Sequence, residues 1–321
     1  MGLSRRGLLG TGTAAAVAAW LPRLADARAP LAGGQVPGAY RVKVGDLEVT
    51  ALLDGFIDLG RDLFPGADAA QADALLEAAF LPKQPAIRSP VNAYAVNSGE
   101  RLVLIDTGAA IAMGPGFGLL PNGLQAAGID PATIDTVLLT HLHPDHVNGL
   151  LTPEGVAAFP NAEVLLSEAE AAFWLDESVL GRVPAEVKPY FEMAQRAMKP
   201  YADRTRTFAP GGDAVPGITS VAAPGHTPGH TAYQLDSGGA QLLVWGDIIH
   251  AAALQFTHPE WAIAFDTDQA QAIDTRRRLL DRVATDRVAI AGMHLPFPGL
   301  GHVARDGEAY AFVQMPFAPL G

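Results

Sequence analysis

From residue 40 onward, apolar and polar positions alternate in short runs, the period-2 signature of strands half-buried in a sheet. RVKV (41–44) and LEVTALL (47–53) predict a hairpin, Asp68 to Phe80 a helix, and VNAYAV (91–96) and RLVLID (101–106) two further strands. TVLLT (136–140) predicts a buried strand, and AEVLLS (162–167) another, with helical AEAAFWL (169–175) after it. The second half repeats the texture with strands RTRTF (204–208), ITSVAAP (218–224), TAYQL (231–235) and QLLVW (241–245). A long amphipathic helix over Asp268–Val283 and then VAIAG (288–292) follow. Strands followed by a helix, twice over, predict an α/β fold: an αββα four-layer sandwich of two mixed β-sheets with outer helices. Segments ending in polar motifs (LID-TG, LLT-HLH, AAP-GH, LVW-GD, AIAG-MH) would then meet at one edge.

Composition adds a compartment and removes some partners. The chain has 321 residues, enough for one large domain, and no cysteine, so any metal site must be built from His and carboxylate. A net charge of −12 without a basic run excludes nucleic acid as a partner. The first residues carry a twin arginine (Arg5, Arg6), an apolar stretch from Gly7 to Leu21 and a small-x-small site at Ala25-Asp26-Ala27. This pattern predicts a twin-arginine signal peptide over 1–27, one domain over 28–321, and a periplasmic or secreted product. The apolar stretch is shorter than the ~20 residues of a spanning helix, so no stable membrane anchor is expected. Such signals address proteins exported already folded, which suits an enzyme that loads a metal first.

THLHPDHVNGL (140–150) places three histidines and an aspartate within six positions at a strand end. His141 and His143, two apart, point the same way and can grip one ion, whereas Asp145 and His146 follow a proline that turns them toward another point. Imidazole and carboxylate together suit zinc or a similar divalent ion. A lone HxH is more often an incidental solvated loop. Here the chain has only nine histidines, and others stand in equally unusual places: His226 and His230 in APGHTPGH, His250 in WGDIIH, His294 in AGMHLPF.

These residues resemble the metallo-β-lactamase fold superfamily, whose HxHxDH motif is matched by His141, His143, Asp145 and His146, with IDTG at 105–108. The resemblance implies that His226 completes a first metal site with His141 and His143. By the same likeness, Asp145, His146 and His294 form a second site, and Asp247 bridges two divalent ions, zinc by preference. His230 is read as a fold residue and Asp106 as one that orders the ligand loops. Lactamases that use a Cys ligand are excluded by the cysteine count. WGDIIHAAALQF, AFDTD and HLPFPGLGHV are similar to methyl parathion hydrolases and neighbouring lactone and aryl-ester hydrolases.

The resemblance implies a secreted dinuclear-zinc hydrolase in which a metal-bridging hydroxide attacks a carbonyl or phosphoryl centre. Asp145 and Asp247 would act in the catalytic centre, chiefly as ligands. His250 would meet the substrate oxygen or leaving group, its alternative being packing beside the site. Substrates would be small neutral lactones, aryl esters or phosphotriesters, walled by Trp174, Phe117 and Phe191, while Phe173 reads as a core aromatic. A homodimer is left open. A glyoxalase-II-like thioesterase would need a cationic C-terminal patch that AYAFVQMPFAPLG lacks, and a non-hydrolytic metal-binding scaffold of the flavodiiron kind would need a further flavin domain.

Overall fold

The computed structural model describes residues 31–83 and 86–320, so the proposed signal over 1–27 lies outside the described residues. The chain divides into two units, one that ends at Val36 and a compact second one over Pro37–Gly321. Residues 31–36 carry no helix or strand, and all the elements below belong to the second unit.

The first sheet runs in sequence order: β1 (Ala39–Val44), β2 (Leu47–Leu59), β3 (Ile87–Asn97), β4 (Leu102–Ile105), β5 (Thr136–Leu138), β6 (Glu163–Ser167) and β7 (Thr205–Phe208). Its first four strands are antiparallel and its last four parallel. The second sheet is also sequential: β8 (Asp213–Val215), β9 (Ile218–Ala222), β10 (Thr231–Ser237), β11 (Ala240–Val244), β12 (Ala289–Ala291), β13 (Leu300–Asp306) and β14 (Ala309–Gln314). Only β11 and β12 pair in parallel there. Parallel neighbours need crossovers long enough to return to the starting edge, and helices supply them. The helices are α1 (Ala69–Ala78), α2 (Leu120–Ala126), α3 (Pro144–Val147), α4 (Glu168–Trp174), α5 (Glu177–Leu180), α6 (Lys188–Met198), α7 (Ala252–Gln255) and α8 (Gln269–Asp286).

Period-2 alternation assigns each strand residue to a layer. Val103, Ile105, Leu138, Leu165, Leu242 and Val244 point between the sheets and share one core with Tyr94 and Tyr233. Leu104, Val137, Leu139, Val164 and Leu166 point outward against Leu120 and Leu124 of α2 and Phe191, Ala194 and Met198 of α6. Leu243 and Ile290 do the same against Leu279, Leu280 and Val283 of α8. The result is the expected four-layer αββα sandwich. Burying each of these Leu or Val side chains contributes roughly 1.5–3 kcal/mol, which is why patterning rather than propensity fixes the helices.

α8 shows the link from sequence to position. Ala272, Thr275, Arg276, Leu279, Leu280 and Val283 recur at helical spacing on its buried face, and Asp268 caps its start by accepting from the Gln271 amide. The helix ends three residues beyond the expected Val283, where Arg287 turns left-handed at φ 57°.

Two expectations change. RTRTF does not belong with the second half: β7 pairs in parallel with β6 and closes the first sheet, because α6 provides the return crossover. The stretch after 300, for which no strand is expected from the pattern, is a hairpin of β13 and β14 whose turn uses Gly307 at φ 61°. No helix of the described residues is long and apolar enough to cross a membrane.

Candidate metal centre

The loops that follow β4, β5, β9, β11 and β12 converge at one edge of the sandwich. β5 gives out after Leu138, and its continuation carries His141 and His143 before Pro144 starts α3, which presents Asp145 and His146. The IDTG turn clamps this loop from behind: the Thr107 amide and hydroxyl both donate to the His146 carbonyl at 2.8 Å. Gly149 lies so close to the Thr107 carbonyl that a Cβ would sit 1.8 Å from its oxygen, so only glycine fits.

Three sets of ligand atoms lie within 4.8 Å of one another: His141, His143, His226 and Asp247; Asp145, His146 and His294; and Asp247, His250 and His294. His141 Nε2 is 3.0 Å from His143 Nδ1, which is 2.9 Å from His226 Nε2. Asp247 Oδ1 is 3.2 Å from His146 Nε2, and its Oδ2 is 3.2 Å from both His226 Nε2 and His294 Nε2. All seven expected metal-site residues are therefore gathered, with Asp247 between the two triads.

The donor chemistry fits divalent cations. Lone pairs crowded at about 3 Å repel unless a proton or a cation lies among them, and His146 Nε2 and Asp247 Oδ1 are buried without any hydrogen-bond partner. Burial and the neighbouring imidazoles hold His141 and His143 well below the ordinary histidine range, hence neutral, as ligation requires. Burial opposes ionisation of Asp247, but the surrounding imidazoles, His146 first, outweigh it and hold the carboxyl well below its usual range. His146, with three carboxylates around it, is pushed the other way, so cations entering here would displace a proton.

The supporting residues divide into those the sequence pointed to and those it did not. Asp106, at φ 57°, receives His146 Nδ1 at 2.7 Å on Oδ2 and the Thr140 amide and hydroxyl at 2.8 and 2.7 Å, which orders the first loop. His230 donates from Nδ1 to the Ala223 carbonyl and accepts the Asp247 amide on Nε2, both at 2.9 Å. With both nitrogens used, it holds the backbone of Asp247 and has no atom left for a metal. Two carboxylates escaped sequence reading. Glu170 of α4, fully buried, accepts from Leu142 N, Thr227 Oγ1 and Gly229 N, tying the two ligand-bearing turns together; burial pushes it up to about 7. Asp266 receives His226 Nδ1 at 2.8 Å. The residues whose contacts with Glu170 and Asp266 matter here are remote in sequence, 28 or more positions from Glu170 and 40 between Asp266 and His226, so nothing local marks either carboxylate.

A cavity of about 340 Å³ opens over the cluster. His143, Asp145, His226, Asp247, His250 and His294 form its polar floor, and Ile57, Met113, Trp174, Val187 and Phe265 are among its apolar walls. Trp174 is buried, edge-on to His143 at 5.2 Å between ring centres, with Phe191 behind it at 4.3 Å. Phe173, expected in the core, is half-buried and lines this cavity beside Tyr190. Phe117 does not line it. The chain turns away at Gly114 (φ 119°) to pack Phe117 against Gly55 at the β2 bulge, leaving Met113 as the side chain of that loop over the cluster. His250 lines the floor, with Nε2 3.1 Å from Asp247 Oδ2, its ring stacked on His294 and Nδ1 buried without a partner; burial holds it down at about 4.

Comparison with known proteins agrees with this geometry. The profile of the Metallo-beta-lactamase superfamily matches residues 86–294. The chain belongs to the metallo-β-lactamase superfamily. Among solved structures of this superfamily's fold, hydrolase AbOPH is 38% identical with a TM-score of 0.85, covering 89% of this chain and all of that one. AidC, a dizinc quorum-quenching lactonase solved with the product N-hexanoyl-L-homoserine, is 28% identical with a TM-score of 0.83, over 88% of this chain and 99% of its own. The uncharacterized protein YobT of Bacillus subtilis (strain 168) is 26% identical over 60% of this chain and 79% of its own. This metallo-β-lactamase superfamily member is thus a metal-dependent hydrolase with lactonases among its structural neighbours.

Proposed function

We propose that the chain is an exported dinuclear-zinc hydrolase that cleaves small neutral lactones and aryl esters, and phosphotriesters of the methyl parathion kind more slowly. The observation that carries the reading is the apolar, aromatic-walled cavity whose polar floor exposes five of the seven gathered imidazole and carboxylate ligands, His143, Asp145, His226, Asp247 and His294. His141, His143 and His226 would hold one ion, Asp145, His146 and His294 the other, and Asp247 both. Two such ions, when bound, supply an activated water and polarise a carbonyl or phosphoryl oxygen. The likeness to a dizinc lactonase supports both the metal count and the substrate class.

The remaining steps belong to the chain's own groups. Trp174, Phe173 and Tyr190 bind and orient a flat or acyl-bearing substrate and exclude water, which strengthens electrostatic interactions at the floor. His250, its free Nδ1 beside the floor, donates to or accepts from the substrate oxygen. The acidic chain disfavours polyanionic substrates through long-range repulsion. Export is supported by the twin arginine and the small-x-small site; replacing Arg5 and Arg6 with lysine is expected to leave precursor in the cytoplasm, and N-terminal sequencing of exported protein to begin near Arg28.

The test is a panel: γ- and δ-lactones, aryl esters, methyl parathion, S-lactoylglutathione and a cephalosporin, assayed with metal-loaded enzyme. Neutral lactones or aryl esters should give the highest kcat/KM. A higher value for S-lactoylglutathione or the cephalosporin defeats the proposal.

A further inference from the structure

AFDTD (264–268), which sequence analysis singled out only as part of a resemblance, sits against the metal centre without supplying a ligand. Its Asp266 has a fully buried side chain. Oδ1 lies 2.8 Å from His226 Nδ1, and Oδ2 accepts the Ile263 amide at 3.1 Å and faces Arg276 Nη2 at 3.8 Å. An ionised carboxylate can only accept, so it fixes the proton on His226 Nδ1 and leaves the Nε2 lone pair aimed at Asp247 and His143.

Backbone contacts lock the same geometry. Thr267 N donates to the His226 carbonyl and Asp268 N to the Gly225 carbonyl, both at 2.9 Å, while Thr275 Oγ1 donates to the Pro224 carbonyl at 2.7 Å. The N-terminal end of α8 is thereby docked onto the turn that carries His226. Gly225, at φ 125°, permits the approach: a Cβ there would stand 2.2 Å from Ala272 N.

Arg276 extends the lock to the other side of the centre. It is the one Arg or Lys buried among the described residues. Its Nε donates to the Ile248 carbonyl at 2.7 Å, next to the bridging Asp247, and Nη1 donates to the carbonyls of Pro259 and Trp261 at 2.9 and 3.1 Å. One planar fork thus fastens the Asp247 loop and the loop leading to Asp266 to the same helix, a geometry that a lysine ammonium cannot reproduce.

We infer that Asp266 is a positioning residue that sets the His226 tautomer for metal binding, and that Arg276 holds Asp266 and the Asp247 loop in register. The inference rests on the metal reading of the cluster, and the two can fail separately. The enzyme, stripped with chelator, is titrated with Co²⁺ against a competing chelator while its visible absorption is followed. The parent is expected to bind two ions. Asp266→Asn should weaken one of the two by roughly 10–100-fold and change that ion's absorption, the range typical of losing a group that orients a ligand. Arg276→Lys should shift the same ion in the same direction by less.

Long-range ¹H–¹⁵N correlation of the histidines in the zinc-loaded parent reads the tautomer directly, and needs no variant to fold. His226 protonated at Nδ1 supports the inference. His226 protonated at Nε2, or an Asp266→Asn protein that binds two Co²⁺ with parental affinity and spectrum, overturns it. A parent that binds no Co²⁺ overturns the metal reading and this inference with it.

Discussion

The two sheets furnish the metal centre in opposite ways. The first contributes four ligands from one six-residue loop, held from behind by Thr107 and Asp106. The second contributes single residues, His226, Asp247 and His294, from three separate strand ends, and each needs its own long-range support: Asp266 for His226, His230 for the backbone of Asp247, and the Pro90 carbonyl for His294 Nδ1. A compact loop fixes its ligands by local geometry, whereas scattered ligands depend on the framework. Damage on the second side should therefore spread further from the altered residue.

The largest effect is expected at Asp247, where the two sides meet. Asp247→Asn removes the charge facing both triads and should lower kcat/KM by at least ~100-fold, the upper end of what losing a merely supporting group costs. Elemental analysis should show about one ion or fewer. Full activity with two ions would remove Asp247 from the centre.

On the first side, Asp54 is buried and accepts the amides of Ala109 and Leu120, anchoring the loop between them. Burial pushes its carboxyl up to about 6, above its unfolded value near 4. Below pH 4 both states hold the proton and the shift costs nothing. As pH rises from 4 through 6 the folded state must give up a proton it holds more tightly than the unfolded state does, so stability is lost across that window. Asp54→Asn cannot titrate. The parent's stability relative to this variant should thus fall by about 3 kcal/mol between pH 4 and pH 7.5, measured by urea unfolding. A gap that is flat or widens with pH contradicts the assignment.

Smaller effects test the cavity. Trp174→Ala should cost roughly tenfold in kcat/KM for aryl substrates, about what an apolar pocket contact contributes, with metal content unchanged. Phe117→Ala removes nothing from the cavity wall and should leave kcat/KM within about twofold of the parent. If the two variants trade places, the wall is assigned in the wrong register.

The same contrast explains what could be read in advance. The first ligand loop is contiguous, so its chemistry showed in spacing alone. His226, Asp247 and His294 stand 21 and 47 positions apart along the chain, and only resemblance to a known family joined them. Most strands were legible because side chains alternate between the two cores. The hairpin of β13 and β14 was missed although Asp306-Gly307 carries a recognised turn signal. RTRTF was misplaced because alternation shows that a segment is a strand without showing which sheet it joins. The place of Phe117 turns on the Gly114 conformation and the β2 bulge, which hydrophobic pattern does not encode, and Phe173 on α4 both packs against the core and reaches the cavity, a double role that pattern does not encode either. Glu170, Asp266 and Arg276 look like ordinary helix or loop polar residues until tertiary contacts bring their partners to them.

The single parallel pairing of the second sheet bears on when the centre can come into being. β12 reaches β11 only after the chain from Asp247 to Val288, including all of α8, has been synthesised and has closed a long loop, at an entropic cost met before the strand contacts repay it. His226 and Asp247 lie upstream of that closure, but Asp266, Arg276 and His294 arrive with it or after it. The ligand set is therefore complete only in a nearly finished molecule. A nascent or truncated chain would display the His141 loop without His294, which closes the second triad, so uptake of the second ion would report on completed folding.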